Sequence, residues 1–252
     1  MTFDRSILCV AALIAAGLPS AVLAADMPSM EPAPLAMPMQ QTYDWSGFYL
    51  GGQIGYGWSQ SNTGTISFYD VLPAVTPFTT APGIGINGSG LLGGIEAGYN
   101  WQSGHMLFGV EGDVSAADIK GSYTGASFTL DSTINSLSTL RVRVGLPMDR
   151  LLLFASGGLA VAGIRADLHD TYVNNIPPVL NTSSSNTSVG WTIGAGAAMA
   201  LSNRWTLKAE YLYADFGSKT YNFSEPNPGW PLISTSGRTT ASIVRMGLDY
   251  RF

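Results

Sequence analysis

Residues 205–213 read WTLKAEYLY, and their side chains alternate in character along the stretch. The odd-numbered positions are apolar or aromatic. Thr206, Lys208 and Glu210 occupy even-numbered positions, and only Leu212 departs from the pattern. A period of two is typical of a β-strand, because successive side chains point to opposite faces of the sheet. The stretch therefore predicts a strand with one apolar face and one largely charged face.

Seven more segments complete a set of eight predicted strands, and six of the seven alternate in the same way. The exception, Leu151 to Ile164, is apolar on both faces, so alternation does not fix its register. No segment beyond the N-terminus has the roughly 20 consecutive apolar residues that a membrane-spanning helix needs. The seven segments are residues 48–59, 91–101, 106–114, 139–146, 151–164, 189–201 and 244–252.

The composition excludes several classes of protein. Charged residues make up only 12% of the 252-residue chain, which is too few to cover the surface of an ordinary soluble globule. The net charge of −5 argues against a nucleic-acid partner. The chain has one cysteine and two histidines, so an intramolecular disulfide is excluded and a zinc site of the usual Cys/His type is not expected.

The N-terminus predicts an export signal. Arg5 precedes the apolar run from Ile7 to Leu18, and Val22-Leu23-Ala24 is typical of a cleavage site with small residues. The single cysteine, Cys9, lies inside this signal. The segment that follows is rich in Pro and Met and predicts a flexible periplasmic linker. The chain then divides into a signal peptide (residues 1–24), a linker (residues 25–44) and a folded domain (residues 45–252).

An exported, apolar chain without a spanning helix has two structural alternatives, a membrane β-barrel and a soluble β-sandwich. The connections favour the barrel, because tight turns alternate with long loops, as in outer-membrane barrels whose long loops lie outside the cell. Residues 45–252 are therefore expected to form an all-β fold, an eight-stranded antiparallel up-and-down transmembrane β-barrel. The tight turns are residues 102–104, 147–150 and 202–203, and the long loops are residues 61–88, 115–136, 165–188 and 217–239.

The strand charges give an internal check on this interpretation. In the seven alternating strands, every charged residue of the membrane-spanning part lies on the face opposite the apolar one. Facing lipid near the midplane, each Arg or Lys would cost about 2–4 kcal/mol. Asp215 has the outward phase, but it lies at a strand end, where we expect water. We therefore predict a lumen charge network of Glu96, Glu111, Asp113, Arg141, Arg143, Lys208, Glu210, Arg245, Asp249 and Arg251.

Aromatic residues lie near both ends of the predicted strands, where rings are expected to form girdles at the two membrane interfaces. Those at the tight-turn end are Phe48, Trp101, Trp205 and Phe252, and those at the long-loop end are Trp58, Trp191 and Tyr213.

Several motifs resemble a family of bacterial outer-membrane proteins. They are YDWSGFYLGG at residues 43–52, GIEAGYN at 94–100, RVRVG at 141–145, ASGGLA at 155–160, LKAEYLY at 207–213 and VRMGLDYRF at 244–252. The chain is similar to the porin family of small barrels from Gram-negative alphaproteobacteria, which includes surface antigens and hemin-binding proteins. The resemblance implies an eight-stranded barrel in the cell outer membrane with both termini in the periplasm. It also implies that Leu248, Tyr250 and Phe252 are the signal read by the barrel-assembly machinery.

Residues with catalytic or ligand chemistry are few. The hemin-binding relatives make His169 and Tyr172 candidate ligands, although one histidine without a partner cluster is more typical of a solvated loop. His105 lies at a tight turn, where an interfacial role is expected. No nucleophile is paired with a base by its spacing, so we expect no enzyme activity and no cofactor.

Three functions therefore stay open. The favoured one is a structural protein whose long loops interact with an extracellular ligand, with outer-membrane lipid and the assembly machinery as its partners. Its lumen would be plugged by the charge network, because an eight-stranded barrel is about wide enough for side chains to fill. The alternatives are a small diffusion porin and a hemin or ligand receptor at the cell surface.

Overall fold

A computed structural model describes residues 43–64, 66–69, 77–81, 83–125, 128–170, 181–223 and 232–252. The predicted signal peptide with Cys9, the linker up to residue 42, and Tyr172 lie outside the described residues.

The described chain is made of ten β-strands. Among the described residues, no helix is both long and apolar enough to cross a membrane. The strands are β1 (Gly47–Thr63), β2 (Ile66–Tyr69), β3 (Pro77–Ala81), β4 (Gly85–Ser103), β5 (Met106–Thr124), β6 (Phe128–Met148), β7 (Leu151–Asp170), β8 (Asn181–Ala200), β9 (Trp205–Phe223) and β10 (Leu232–Arg251).

Eight of these strands close into an antiparallel barrel, as predicted. β1 pairs with β4, each of the strands β4 to β10 pairs with the next, and β10 pairs with β1. The short strands β2 and β3 prolong β1 and β4, because Asn62 pairs with Gly85 and Ile66 pairs with Ala81 in one continuous register. The eight predicted strands and the up-and-down barrel are therefore confirmed.

The structure also fixes the register of β7, which alternation did not. Leu152 and Phe154 are buried in the barrel, whereas Leu151 and Leu153 are about two-fifths exposed on its outer surface. Both faces are apolar because Leu152 and Phe154 pack with other apolar groups inside the barrel.

The three tight turns lie at one end of the barrel, here called the turn end. Gly104 and Asp149 have φ angles of 57° and 52° in the first and second of these turns, and residues 201–204 form the third. The opposite end, here called the loop end, differs from the prediction, because most of the predicted long loops are strand. Residues 115–124 belong to β5, and residues 128–136 belong to β6. The predicted strand ends lie too early because the apolar residues change from the outer to the inner face there.

The barrel is not fully paired at the loop end. Pairing between β4 and β5 ends at Gly88 and Gly121, and pairing between β8 and β9 ends at Trp191 and Asp215. Beyond these points the described strands form two separate groups. One group is β5 to β8, and the other is β9, β10, β1 and β4 with β2 and β3.

Candidate functional site: the barrel interior

The outer surface carries the apolar side chains in a band around the barrel. Ile54, Leu91 and Val142 are 73%, 69% and 62% exposed, although each is strongly apolar. Such a band has no counterpart on a soluble protein and suits contact with acyl chains.

Aromatic rings border this band on both sides. At the turn end, Phe48 contacts Phe252 with ring centroids 5.6 Å apart, Trp101 contacts Tyr99 at 4.7 Å, and Trp205 contacts Tyr250 at 5.1 Å. At the loop end, Trp58 contacts Tyr56 at 5.1 Å and Trp191 contacts Tyr213 at 5.7 Å. The sequence-predicted girdle residues therefore lie in two belts.

Nine of the ten residues of the predicted charge network lie buried inside the barrel: Glu96, Glu111, Asp113, Arg141, Arg143, Lys208, Glu210, Arg245 and Asp249. Arg251 does not join them. It lies at the turn end, where its guanidinium donates to the backbone carbonyls of Asp44 and Asn203.

Arg141 is at the centre of the network. Its guanidinium donates to Glu210, Glu111 and Asp113, and its side chain is fully buried. Arg245 joins the same three carboxylates, with Nη2 2.8 Å from Glu210 Oε2 and 3.6 Å from Glu111 Oε1, and Nη1 3.2 Å from Asp113 Oδ1. Two guanidinium groups thus share three carboxylates, which holds strands β5, β6, β9 and β10 together across the lumen.

A second cluster surrounds Glu111. Lys208 Nζ donates to Glu96 Oε2 at 2.6 Å and to Glu111 Oε2 at 2.8 Å. The Tyr49 hydroxyl donates to Glu111 Oε2 at 2.6 Å, and Arg143 Nη1 donates to the same oxygen at 2.9 Å. Gly98 makes room for these groups, because a Cβ at that position would lie 2.3 Å from the Tyr49 hydroxyl.

An apolar layer fills the lumen on the loop-end side of the charges. Its members are buried to at least 95%, and they include Leu212, the residue that broke the alternation of β9. A cavity of about 40 Å³ lies at the loop end, next to Ile86, Ile164 and Thr239. The layer consists of Leu92, Ile119, Ile134, Leu137, Ala160, Ala162, Ile164, Leu212, Ala214, Phe216, Ala241 and Ile243.

The turn end of the lumen is covered by residues 43–46, here called the cap. Trp45 is 3% exposed, its Nε1 donates to the Asp149 carbonyl at 2.9 Å, and its backbone N–H donates to Gln102 Oε1 at 2.9 Å. The Tyr43 hydroxyl donates to the Ser202 carbonyl at 3.3 Å. The cap therefore bonds to all three tight turns. This role of Trp45 could not be predicted from the sequence, because nothing in the alternation shows that a residue before the first strand folds inward.

The cap also has a local anchor of its own. Asp44 Oδ1 accepts the backbone N–H of Ser46 at 2.8 Å, and this bond is the largest cause that lowers the pKa of Asp44 below its ordinary value. Between the cap and the charges, a cavity of about 20 Å³ lies against Asn100, Thr206 and Asp249, which is about the space of one water molecule.

Asp215 has the predicted outward phase, but it is more buried than predicted and lies within β9 rather than at its end. We expected it near water at a strand end, but it is 1% exposed and accepts the Gly217 N–H at 2.9 Å and a charged bond from Arg238. The reason is a register shift opposite it between Arg238 and Thr240, with Gly217 at a φ of 65°. Asp215 keeps the outer-face phase of its register partner Trp191, and the bulge brings Gly217 and Arg238 over its carboxylate.

The candidate ligand and assembly residues are dispersed. His169 lies in β7 with half of its side chain exposed and Nε2 3.8 Å from Asp131 Oδ2, and His105 is exposed in the first turn. In the described part of the chain, no group of three or more His, Cys, Asp or Glu residues is arranged to hold a metal. Leu248 and Tyr250 lie on the outer face of β10 at the turn end, and Phe252 directly follows the strand. Hemin ligation by His169 and recognition by the assembly machinery stay predictions.

Comparison with known proteins gives consistent matches along the chain. A family model described as outer membrane protein beta-barrel domain matches residues 32–252. The 31 kDa outer-membrane immunogenic protein of Brucella melitensis biotype 1 is 31% identical over 248 residues, covering 96% of this chain and 98% of that protein. The 22 kDa outer membrane protein of Rhizobium leguminosarum bv. viciae is 30% identical over 218 residues, covering 85% of this chain and 82% of that protein. Among solved structures, neisserial surface protein A aligns over 82% of this chain and 98% of its own, with 16% identity and a TM-score of 0.43.

Proposed function

This chain belongs to the outer membrane protein β-barrel domain family, and from that premise we propose a non-catalytic role with a closed lumen. The barrel anchors the protein in the outer membrane of a Gram-negative cell, and its loop end interacts with partners at the cell surface. The names of the Brucella relatives, which call them immunogenic outer-membrane proteins, are consistent with surface display.

The charge network is the observation that most strongly supports a closed lumen. Four cationic and five acidic side chains lie in one section of the barrel, each at most 5% exposed. Unpairing a buried ion pair of this kind costs several kcal/mol, so the network resists opening. The apolar layer on one side and the cap on the other add two further barriers to ions.

Planar-bilayer recording tests this proposal against the alternative of a diffusion porin. The mature protein, refolded into lipid vesicles, is expected to give no steady conductance in 1 M KCl. Flotation of the same vesicles must show that the protein is inserted, so that an absent current reports a closed barrel. A stable open-channel current from inserted protein would overturn the closed lumen and favour the porin.

We propose in addition that the turn end faces the periplasm and the loop end faces the outside. Both ends of the described barrel, Gly47 and Phe252, lie at the turn end, and short turns are typical of the periplasmic side of outer-membrane barrels. This orientation places the two unpaired strand groups of the loop end where extracellular molecules reach them.

The three lysines of the chain allow a direct test of orientation. Lys120 and Lys219 are exposed at the loop end, whereas Lys208 is buried in the network. A membrane-impermeant amine reagent applied to intact cells is expected to label Lys120 and Lys219 but not Lys208. Labelling of the two loop-end lysines only after the outer membrane has been broken would reverse the proposed orientation.

A further inference from the structure

The barrel has an open seam between β8 and β9 at the loop end. β8 pairs with β7 along its whole length, from Asn181 opposite His169 to Met199 opposite Leu151. On its other side it pairs with β9 only from Ala200 to Trp191. In the described part of the chain, the β9 side of residues 181–190 thus has no strand paired to it, and we call this side the β8 edge.

The bulge in β9 accounts for the seam. The Asp215 carboxylate accepts the Gly217 N–H and bonds to Arg238 of β10, and after this point β9 stays in register with β10 alone, up to Phe223 opposite Ile233. A bulge bends its strand and increases the local twist. β9 therefore follows β10 away from β8.

Unpaired strand edges can pair with strands of other chains. Proteins prevent this with charges, prolines, bulges or short length, here called guards. Three of the four described edges at the loop end carry such guards. The β5 edge has only three residues beyond Gly121, the β3 edge begins with Pro77, and the β9 edge contains the Gly217 bulge and exposed Lys219.

The β8 edge has none of these guards. Residues 181–190 read NTSSSNTSVG, a run of ten residues without a charge or a proline. Ser183, Ser185 and Thr187 are exposed on the outer face, and Val189 follows them at 56% exposure. The edge therefore offers a row of backbone N–H and C=O groups, flanked by hydroxyl side chains that pair well across strands.

We propose that the β8 edge binds an extended, uncharged polypeptide segment of another protein outside the cell by strand addition. Main-chain hydrogen bonds to the edge would supply the affinity, Ser and Thr side chains would pair with hydroxyl side chains of the added strand, and residues 181–190 offer no charge to pair with a charged side chain. The proposal rests on the surface-interaction role proposed above and specifies its partner class. It does not depend on the lumen being closed.

A second copy of this chain does not fit the edge. Two copies in one membrane share one vertical direction and are related by an axis along the membrane normal. Because barrel strands tilt by about 35–45°, the facing strands of two such copies would cross at roughly 80°, which prevents a hydrogen-bonded ladder. The segment that binds must therefore belong to a molecule free to orient itself along β8.

Hydrogen–deuterium exchange with a model peptide tests the proposal on the full mature protein in lipid nanodiscs. The probe has an uncharged ten-residue core of alternating threonine and valine, with one lysine added outside each end of the core for solubility. We expect it to slow exchange at least tenfold for the amides of residues 183–189 that face the seam. The matched control peptide is N-methylated at alternate residues, which removes its donors on one side, and it is expected to slow nothing.

Three results would each overturn the proposal. Equal slowing by the N-methylated peptide would indicate adhesion through side chains. Slowing confined to other loop-end strands would indicate a different site. Amides at 183–189 that are already as protected as those of residues 205–213 in the free protein would indicate that the edge is covered. None of these results would alter the lysine labelling or the conductance, so they leave the proposed function standing.

Discussion

Strands alternate with a period of two in both halves of the barrel, but the apolar side chains change face. They point outward in the half next to the turn end (the turn half) and inward in the half next to the loop end (the loop half). In the turn half, β6 points Arg141 and Arg143 inward and Val142 outward. Seven residues before Arg141 in the same strand, Ile134 points inward, and Ser136 lies exposed on the surface. The difference follows from the medium outside, because lipid accepts apolar groups whereas water accepts polar ones.

This change of face explains why the sequence predicts long loops in the loop half, where the structure has strands. The apolar-out pattern used to predict the strands ends where the membrane ends, although the hydrogen-bonded ladder continues beyond it. β6 runs from Phe128 to Met148, but only its second part has the apolar-out pattern. Period two therefore predicts strands, while the phase of the apolar face indicates the medium that surrounds them.

The largest expected effect comes from the central charge of the turn half. Arg141→Ala removes the shared partner of Glu111, Asp113 and Glu210 and leaves these carboxylates less compensated. The free energy of unfolding in lipid vesicles, measured by urea titration, is expected to fall by about 3–5 kcal/mol. A loss below about 1 kcal/mol would show that the network contributes little to the turn half.

The next effect concerns the apolar layer of the loop half. Ile134 is 3% exposed, and Ile134→Ala leaves a cavity in a layer that has no lipid contact. The expected loss in unfolding free energy is about 2–5 kcal/mol. The same substitution at exposed Ile54 serves as a control, because Ile54 faces outward and leaves no internal cavity. Equal losses at both positions would contradict an internal apolar layer.

A charge added to the outer surface distinguishes directly between positions that face lipid and positions that face water. Val142→Arg places a guanidinium in the apolar band and is expected to cost about 2–4 kcal/mol of unfolding free energy in lipid. The matched variant Gln60→Arg lies on the same outer surface, two residues beyond Trp58 of the loop-end girdle, and is expected to cost at most about 1 kcal/mol. If both variants cost the same, the membrane boundary does not lie at the girdle.

The smallest effect is expected for the ion pair of the loop half. The Arg238 side chain is 61% exposed, although its partner Asp215 is buried. Pairs with an exposed partner contribute little because solvent screens them, so Arg238→Ala should lower the unfolding free energy far less than Arg141→Ala does. A loss as large as that of Arg141→Ala would show that charges in the two halves are equally important.

The sequence was sufficient to predict the eight strands, the three tight turns and the face of each buried charge, because these features depend on period and phase. The pairings within the charge network could not be predicted, because the bonds of Lys208 to Glu96 and Glu111 depend on how side chains cross the lumen. The inward fold of Trp45 and the burial of Asp215 were also missed. One depends on contacts with distant turns, and the other depends on a bulge that alternation does not show.

Photolabelling from within the bilayer tests most directly which face of the turn half meets lipid. A carbene precursor attached to an acyl chain would be activated in vesicles that contain the refolded protein, and labelled residues of β6 would be identified by mass spectrometry. Labels are expected on Leu140, Val142 and Val144, which are exposed on the outer surface, and not on Arg141 or Arg143. Labels on the two arginines with none on the two valines would show that the charged face meets lipid, which would contradict the account.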